Sequence, residues 1–391
     1  MLASSLINAD TDAPVSLFEH SLNQHLLIVG QTGSGKTTST VALLSDSQRA
    51  DRAAIILDPT GEYRHLPNAS VYRLGDNCFL GTGELSLAQL QQALSLPDDE
   101  YWGNLLADAL TSLRVAHNLC QQTTPLVKLG CSRKEWQTQV SHLGKWAHDY
   151  QLDLLPEQLI AEMILPDLKH PDYSLLGQVP DKQRIQDNWA LINHLRTKLA
   201  SQRFQKLFGN HNQTTSYDLT YVLKLFLSQP MQHQSLVLDL SLLQGAIRLQ
   251  QLLVSLICQT ILHLRLERST NFPVTVVVDE AHRYLPQDPQ ALSANGIFQI
   301  LREGRKVNLA MMLTTQSPLD LAPRLRSQFG NVLLHRMSVR DELALWPDVD
   351  ADAVANQPIG RATYLSAGQV IPVKVMEPQW WQKEHENGLH S

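Results

Sequence analysis

The chain has 391 residues, 43% hydrophobic and 18% charged, with 19 glycines and 19 prolines. This composition is globular and excludes a collagen-like, low-complexity or largely disordered chain. Lys plus Arg number 32 against 38 Asp plus Glu, a net charge of -6, so a general basic coat is absent and any contact with phosphates must come from a local patch.

The opening MLASSLINADTDAP has neither the basic start nor the apolar run of a signal peptide, and a cytoplasmic protein is expected. Cys78, Cys120, Cys131 and Cys258 are far apart and form no C-x-x-C pair, which points to reduced thiols rather than a zinc site. Leu26 to Val29 is a short apolar run ending at Gly30, the pattern of a buried strand in a parallel sheet. Thr37 to Leu44 reads as a helix, and Ala53 to Leu57 as a second strand that ends in the turn signal Asp58-Pro59-Thr60-Gly61. Strand, helix, strand is a βαβ unit.

From about Ser86 to Ser228 the character changes to Leu, Gln, Ala and His with few β-branched runs. Leu87 to Leu96, Asn104 to Leu119 and Ile185 to Leu199 carry apolar residues at helical spacing, and prolines at 125, 156, 166, 171 and 180 break the pattern. A mostly helical insertion is predicted. Strands return at Ser235 to Leu240, Val274 to Val278, Leu309 to Leu313 and Val332 to Leu334, then at Ala362 to Leu365 and Ile371 to Val375. Helices are predicted between them at Leu249 to Leu266 and around Ile297 to Glu303. The first of these is interrupted by Gln250, Gln251, Gln259, His263 and Arg265, and reads as a packed helix too polar and too short to span a bilayer. The expectation is an α/β core with a mainly parallel sheet, formed by residues 1–85 and 231–391, around a helical insertion at 86–230.

Gly30-Gln31-Thr32-Gly33-Ser34-Gly35-Lys36-Thr37 fits G-x-x-x-x-G-K-[ST] in full, with a strand before it and a helix after it. Glycines let the backbone curl and turn successive N–H groups toward one point, and the helix adds its positive end. Residues 30–38, Thr38 included, are therefore the predicted nucleotide cradle. Lys36 would reach the β- and γ-phosphates and Thr37 would place its hydroxyl on Mg²⁺.

Val276-Val277-Val278-Asp279-Glu280 supplies the second element. A carboxylate ending a buried parallel strand lies beside the phosphate loop, so Asp279 is the predicted Mg²⁺ acid, and Glu280 the general base for the attacking water. Gln316, just past the 309–313 strand, suits contact with the γ-phosphate or its water because its amide both donates and accepts. Arg302-Glu303-Gly304-Arg305-Lys306 carries three cations in five residues, able to neutralise DNA phosphates or a transition-state phosphoryl group. Arg324 and Arg326 are further candidate DNA contacts.

Asp279-Glu280-Ala281-His282 spells DEAH and invites a two-lobed helicase reading. Only roughly a hundred residues follow Asp279, too few for a second full lobe, so His282 is expected to be a local hydrogen-bonding residue. A single lobe leaves the γ-phosphate open on one side. A neighbouring copy is the economical source of the missing arginine, and head-to-tail contacts close into rings.

GQTGSGKTTST, LDPTGEY at Leu57 to Tyr63, LVLDLS at Leu236 to Ser241, VVVDEAHRYLP, REGRK and TTQSP together resemble, in this order, the HerA subgroup of the HerA/FtsK DNA-pumping ATPases. The late IGRATYL and IPVKV runs are similar to that family's closing strands. The resemblance implies a RecA-like P-loop NTPase core, a homohexameric ring, ATP hydrolysis with Mg²⁺, and movement along double-stranded DNA. It implies that Arg305 is offered to the neighbouring subunit, and that Asp58 and Glu62 are second-strand acids near the nucleotide or subunit junction. The family's archaeal members carry a small β-barrel before the loop, whereas 29 residues precede Gly30 here. A short form lacking that barrel is expected, working beside a partner nuclease or other effector in DNA repair or anti-phage defence. An ATP-gated hexameric scaffold that regulates such an effector without processive motion is the alternative. A secretion or conjugation motor shares the fold.

Overall fold

The computed structural model describes residues 4–15, 24–50, 52–144, 147–208, 216–229, 234–267 and 272–386. The chain divides into two compact units, one made of 1–73 and 221–391 and the other of 74–220.

The first unit is built on a ten-stranded sheet. In chain order its strands are β1 (Leu6–Asn8), β2 (His25–Val29), β3 (Ala53–Asp58), β4 (Ala69–Arg73) and β5 (Ser235–Asp239). They continue with β6 (Val274–Val278), β7 (Leu309–Thr315), β8 (Phe329–Leu334), β9 (Arg361–Ser366) and β10 (Gln369–Val375). Their spatial order is β1-β10-β9-β8-β2-β7-β6-β3-β5-β4. From β8 to β4 every neighbouring pair is parallel, while β9, β10 and β1 close the other side with antiparallel pairings. The continuous apolar runs follow from this position, since β2, β3, β5, β6 and β7 are buried along their whole lengths. Between β9 and β10, Ala367 and Gly368 both take positive φ, 49° and 78°. This is the two-residue hairpin geometry whose twist suits the flanking strands.

The helix Lys36–Arg49 lies against the sheet, with Val41, Leu43 and Leu44 in one core with Leu26, Ile28, Ile56, Val277 and Met312. The helices Ile247–Glu267 and Gly296–Glu303 pack on each other, the second also on β7. A Cβ on Gly296 would collide with the Ser255 carbonyl, so a hydrogen there is what lets the two helices approach. By length and composition Ile247–Glu267 is long and apolar enough to cross a bilayer, which corrects the expectation of a segment too polar and too short to do so. In this fold Leu253, Val254, Ile257, Cys258 and Ile261 are buried core residues.

The second unit is mainly helical. Its longest helix, Glu100–Asn118, is capped by Asp99, whose carboxylate accepts from Trp102 N at 2.8 Å. Leu105, Leu106, Ala109, Leu113 and Ala116 form its buried stripe. Helices Leu87–Leu94, Leu155–Glu162, Trp189–Ala200 and Gln202–Phe208 complete the main bundle. Inside it Lys128 Nζ meets Glu162 Oε2 at 2.6 Å, and the other Glu162 oxygen accepts from Ser112 and Gln158. The two side chains are almost fully buried and are matched by these hydrogen bonds, as a buried charge must be.

Candidate active site

Strand register brings the motifs together. Val278 pairs with Leu313 and Thr315 with Val29. One residue further along, Asp279 comes level with Thr314, and Gly30 with Gln316. Because β7 lies between β2 and β6, the polar end of β7 is set between the loop and the acid pair.

The loop begins with two stitches. Gly30 N–H donates to the Thr315 carbonyl at 3.3 Å and Gln31 N–H to the Arg336 carbonyl at 3.1 Å. A Cβ on Gly30 would stand 2.5 Å from His335 Cβ and 2.6 Å from Ser34 Oγ, so no larger residue fits without displacing the loop. Gly33 and Gly35 have φ of 74° and 102°, the left-handed region that glycine enters without strain. Gly35 is the N-cap of Lys36–Arg49. The first-turn N–H groups of such a helix lack intrahelical acceptors, and the helix dipole makes this end attractive to anions. Thr32 and Gly33 are exposed, Thr37 and Thr38 half-buried.

Lys36 is 8% exposed, and its Nζ donates to the carbonyls of Gly30 at 2.7 Å and Gln31 at 3.2 Å. Burial lowers its pKa, while the carboxylates of Glu280, Asp279 and Glu62 oppose that shift. The ammonium is therefore folded over the loop within the field of three acids. Ser34 Oγ is buried with no hydrogen-bond partner.

Asp279 is nearly fully buried. Its Oδ1 accepts from Thr314 Oγ1 and, at 3.0 Å, from Glu280 N, and its Oδ2 from Tyr63 OH at 3.2 Å. Burial raises its pKa, and the bonds from Thr314 and Tyr63 oppose the rise. Glu280 takes a left-handed backbone, φ 50° and ψ 45°, rare for a residue with a Cβ. Its N–H is held by Asp279 Oδ1 and by Thr314 Oγ1 at 2.9 Å, which turns the side chain away from the strand line. Gln316 Nε2 donates to Glu280 Oε2 at 3.1 Å, and His282 Nε2 stands 3.6 Å from the same oxygen. His282 Nδ1 is 3.4 Å from Thr315 Oγ1.

Lys36, Asp279, Glu280 and Gln316 thus gather at the carboxyl ends of β2, β6 and β7. Arg305 does not join them. It is exposed in the turn Gly304–Val307 that leads into β7, at the amino end of that strand. Seven strand residues, about 23 Å at ~3.3 Å each, separate the Arg305 end from the Gln316 end. Tyr63, Thr314 and His335 also shape the site. Tyr63 and Thr314 lay inside motifs already noted, but their hydroxyls reach inward only through pairings between strands. His335 is fully buried under the loop, its Nε2 2.9 Å from Ser39 Oγ. The one available signal was that it directly extends the apolar run Val332-Leu333-Leu334.

A model of the HerA helicase central domain matches residues 4–261. The chain belongs to this family. Two curated relatives are the DNA double-strand break repair helicases HerA of Sulfurisphaera tokodaii and Sulfolobus acidocaldarius. Each is 35% identical, over 66 and 63 residues, or 17% and 16% of this chain. These matches span 13% of either relative's length. VirB4 of Thermoanaerobacter pseudethanolicus shares the fold at a TM-score of 0.61 and 16% identity, over 97% of this chain and 98% of that one. The conjugative coupling protein TrwB does so at a TM-score of 0.56 and 15% identity, over 92% and 88%, and has been captured with ADPNP and with ADP and Mg²⁺. This HerA-family chain therefore carries a P-loop ATPase core: an α/β fold with a mainly parallel sheet, its phosphate loop and acid pair on strands separated by one strand.

Proposed function

We propose that this HerA-family chain is the subunit of an ATP-hydrolysing, homohexameric motor that moves double-stranded DNA in the cytoplasm, coupled to a DNA-processing effector such as a nuclease. The observation that carries the reading is the split site. One end of the sheet holds the loop, Lys36, Asp279, Glu280 and Gln316, and the other holds Arg302, Arg305 and Lys306. An arginine at the far end of β7 cannot serve its own loop, but it can serve that of an identical neighbour. The charges suit such an arrangement: Glu62 and Glu280 follow β3 and β6 at the loop end, while the cations precede β7.

The donor set fits ATP with Mg²⁺. The orphaned Ser34 hydroxyl, the open space at Gly33 and the buried Asp279 carboxylate are features that a bound anion and its hydrated cation would satisfy. Residues 30–38 would hold the phosphates, Thr37 and Asp279 the ion. Mg²⁺ would supply charge neutralisation at the β- and γ-oxygens. Lys36 exchanges its loop carbonyls for phosphate oxygens. The Glu280 carboxylate accepts the proton of the attacking water as ADP leaves. Gln316 orients that water or the γ-oxygens, and Arg305 of the adjacent copy balances the developing charge. Arg302, Lys306 and Arg324 are exposed and Arg326 half-buried, a local basic set able to meet DNA despite the negative net charge.

The test is subunit mixing. Arg305→Ala should keep nucleotide binding and lose turnover by 10³-fold or more, and added wild-type subunits should restore part of it. Particle mass should rise to that of a ring with ATP and DNA, and ATPase should increase with duplex length. Full-speed hydrolysis by a monomer, or no rescue on mixing, would overturn the reading. Stimulation independent of duplex length would point to the gated scaffold.

A further inference from the structure

The resemblance implies that Asp58 is an acid near the nucleotide or the subunit junction, whereas its contacts tie it to its own turn. It is fully buried at the end of β3. Its Oδ1 accepts from the N–H groups of Gly61 at 2.7 Å, Thr60 at 3.2 Å and Glu62 at 3.3 Å, and its Oδ2 from Tyr63 N at 2.9 Å. Both oxygens are occupied by the chain's own turn. Gly61, with φ 85°, lets the backbone reverse there. The turn drives Tyr63 inward until its ring is 1% exposed and its hydroxyl meets Asp279 Oδ2 at 3.2 Å.

Asp279 is consequently gripped from both sides. Thr314 and Glu280 N bond one oxygen and Tyr63 the other, so β7 and the segments that follow β6 and β3, three adjacent strands, hold one carboxylate. The terminal torsion of an aspartate is broad and nearly two-fold when free, and donors on opposite oxygens remove that freedom.

We propose that Tyr63 is a positioning residue for the metal-binding acid: its hydroxyl holds the Asp279 carboxylate in one orientation, and the Asp58 turn holds Tyr63. This rests on the reading of Asp279 as the Mg²⁺ acid. Partners of this kind are worth tenfold or more in metal affinity.

The experiment uses the full chain with Tyr63→Phe, which removes one oxygen and leaves the ring. Mn²⁺ binding in the presence of ADP is followed by electron paramagnetic resonance, and Mg²⁺ dependence by the nucleotide-induced shift in melting temperature. The half-saturating metal concentration should rise about tenfold, while ADP binding in EDTA stays at the wild-type value. Asp58→Asn should show the same metal defect together with a lower melting temperature. Wild-type metal dependence in Tyr63→Phe would overturn the proposal and leave the site reading intact. Equal losses with and without metal would also overturn it, by showing a packing role. If the wild-type chain itself shows no metal-dependent nucleotide binding, the site reading falls, and this proposal with it.

Discussion

His25 makes stability depend on pH in a direction that can be measured. It begins β2, is 1% exposed, and has both ring nitrogens engaged: Nδ1 accepts from Met311 N at 3.0 Å, leaving Nε2–H to donate to the Leu301 carbonyl at 2.9 Å. That pattern requires the neutral ring. Burial, helped by the nearby Arg305 charge and opposed by the Leu301 bond, lowers its pKa from 6.5 to about 4. A base with a depressed folded pKa contributes stability that is complete above the unfolded pKa near 6.5 and lost as pH falls toward 4, because the unfolded chain takes up the proton first. Between pH 7 and pH 5 the loss works out at about 2 kcal/mol for this residue. His25→Asn places an amide oxygen near Nδ1 and cannot titrate. Urea denaturation of both chains at pH 7 and pH 5 should show wild type losing about 2 kcal/mol more than the variant over that interval. Equal losses would mean that the imidazole is not held neutral, and would refute the argument. His335, also lowered to about 4 by burial and by Lys36, stays in both proteins and cancels in the difference.

Two further outcomes concern the site. Glu280→Gln should keep nucleotide binding within a few-fold and reduce phosphate release about a hundredfold or more; a variant hydrolysing at the wild-type rate would remove Glu280 from the role of base. Gly30→Ala forces a Cβ to 2.5 Å from His335 Cβ, an overpacking that costs about 1–3 kcal/mol unless the loop moves. Nucleotide affinity, read by fluorescent-nucleotide titration, should fall about tenfold, and wild-type affinity would show that the cradle tolerates the shift.

Much of this core could be read from residue pattern. Val274–Val278 is a strand over the predicted span, and the phosphate loop, acid pair and Gln316 fall where strand ends place them. Those features are local: an apolar run with a polar tip states its own identity. β1 and β4 were not legible, because LIN and ASVYR are short, half-polar edge strands whose pairing depends on distant partners. The helix Lys36–Arg49 runs past the predicted Leu44 because Ser45, Asp46, Ser47, Gln48 and Arg49 carry no apolar signal; Asp46 is nevertheless tied to Ser5. Asp58 shows the limit most clearly. The resemblance implies an acid near the nucleotide or subunit junction, whereas four backbone N–H groups in its own turn occupy it, and Tyr63, the last residue of the same motif, is what touches Asp279.

β7 has a mechanical consequence. It is seven residues long, buried throughout, and hydrogen-bonded to β2 on one side and β6 on the other, so it cannot stretch or buckle independently of the sheet. Its carboxyl tip carries the amide that grips Glu280, and its amino tip follows directly from the turn that carries Arg305. The Gln316 tip and the Arg305 turn of one chain are thus held at a fixed separation by a single rigid strand.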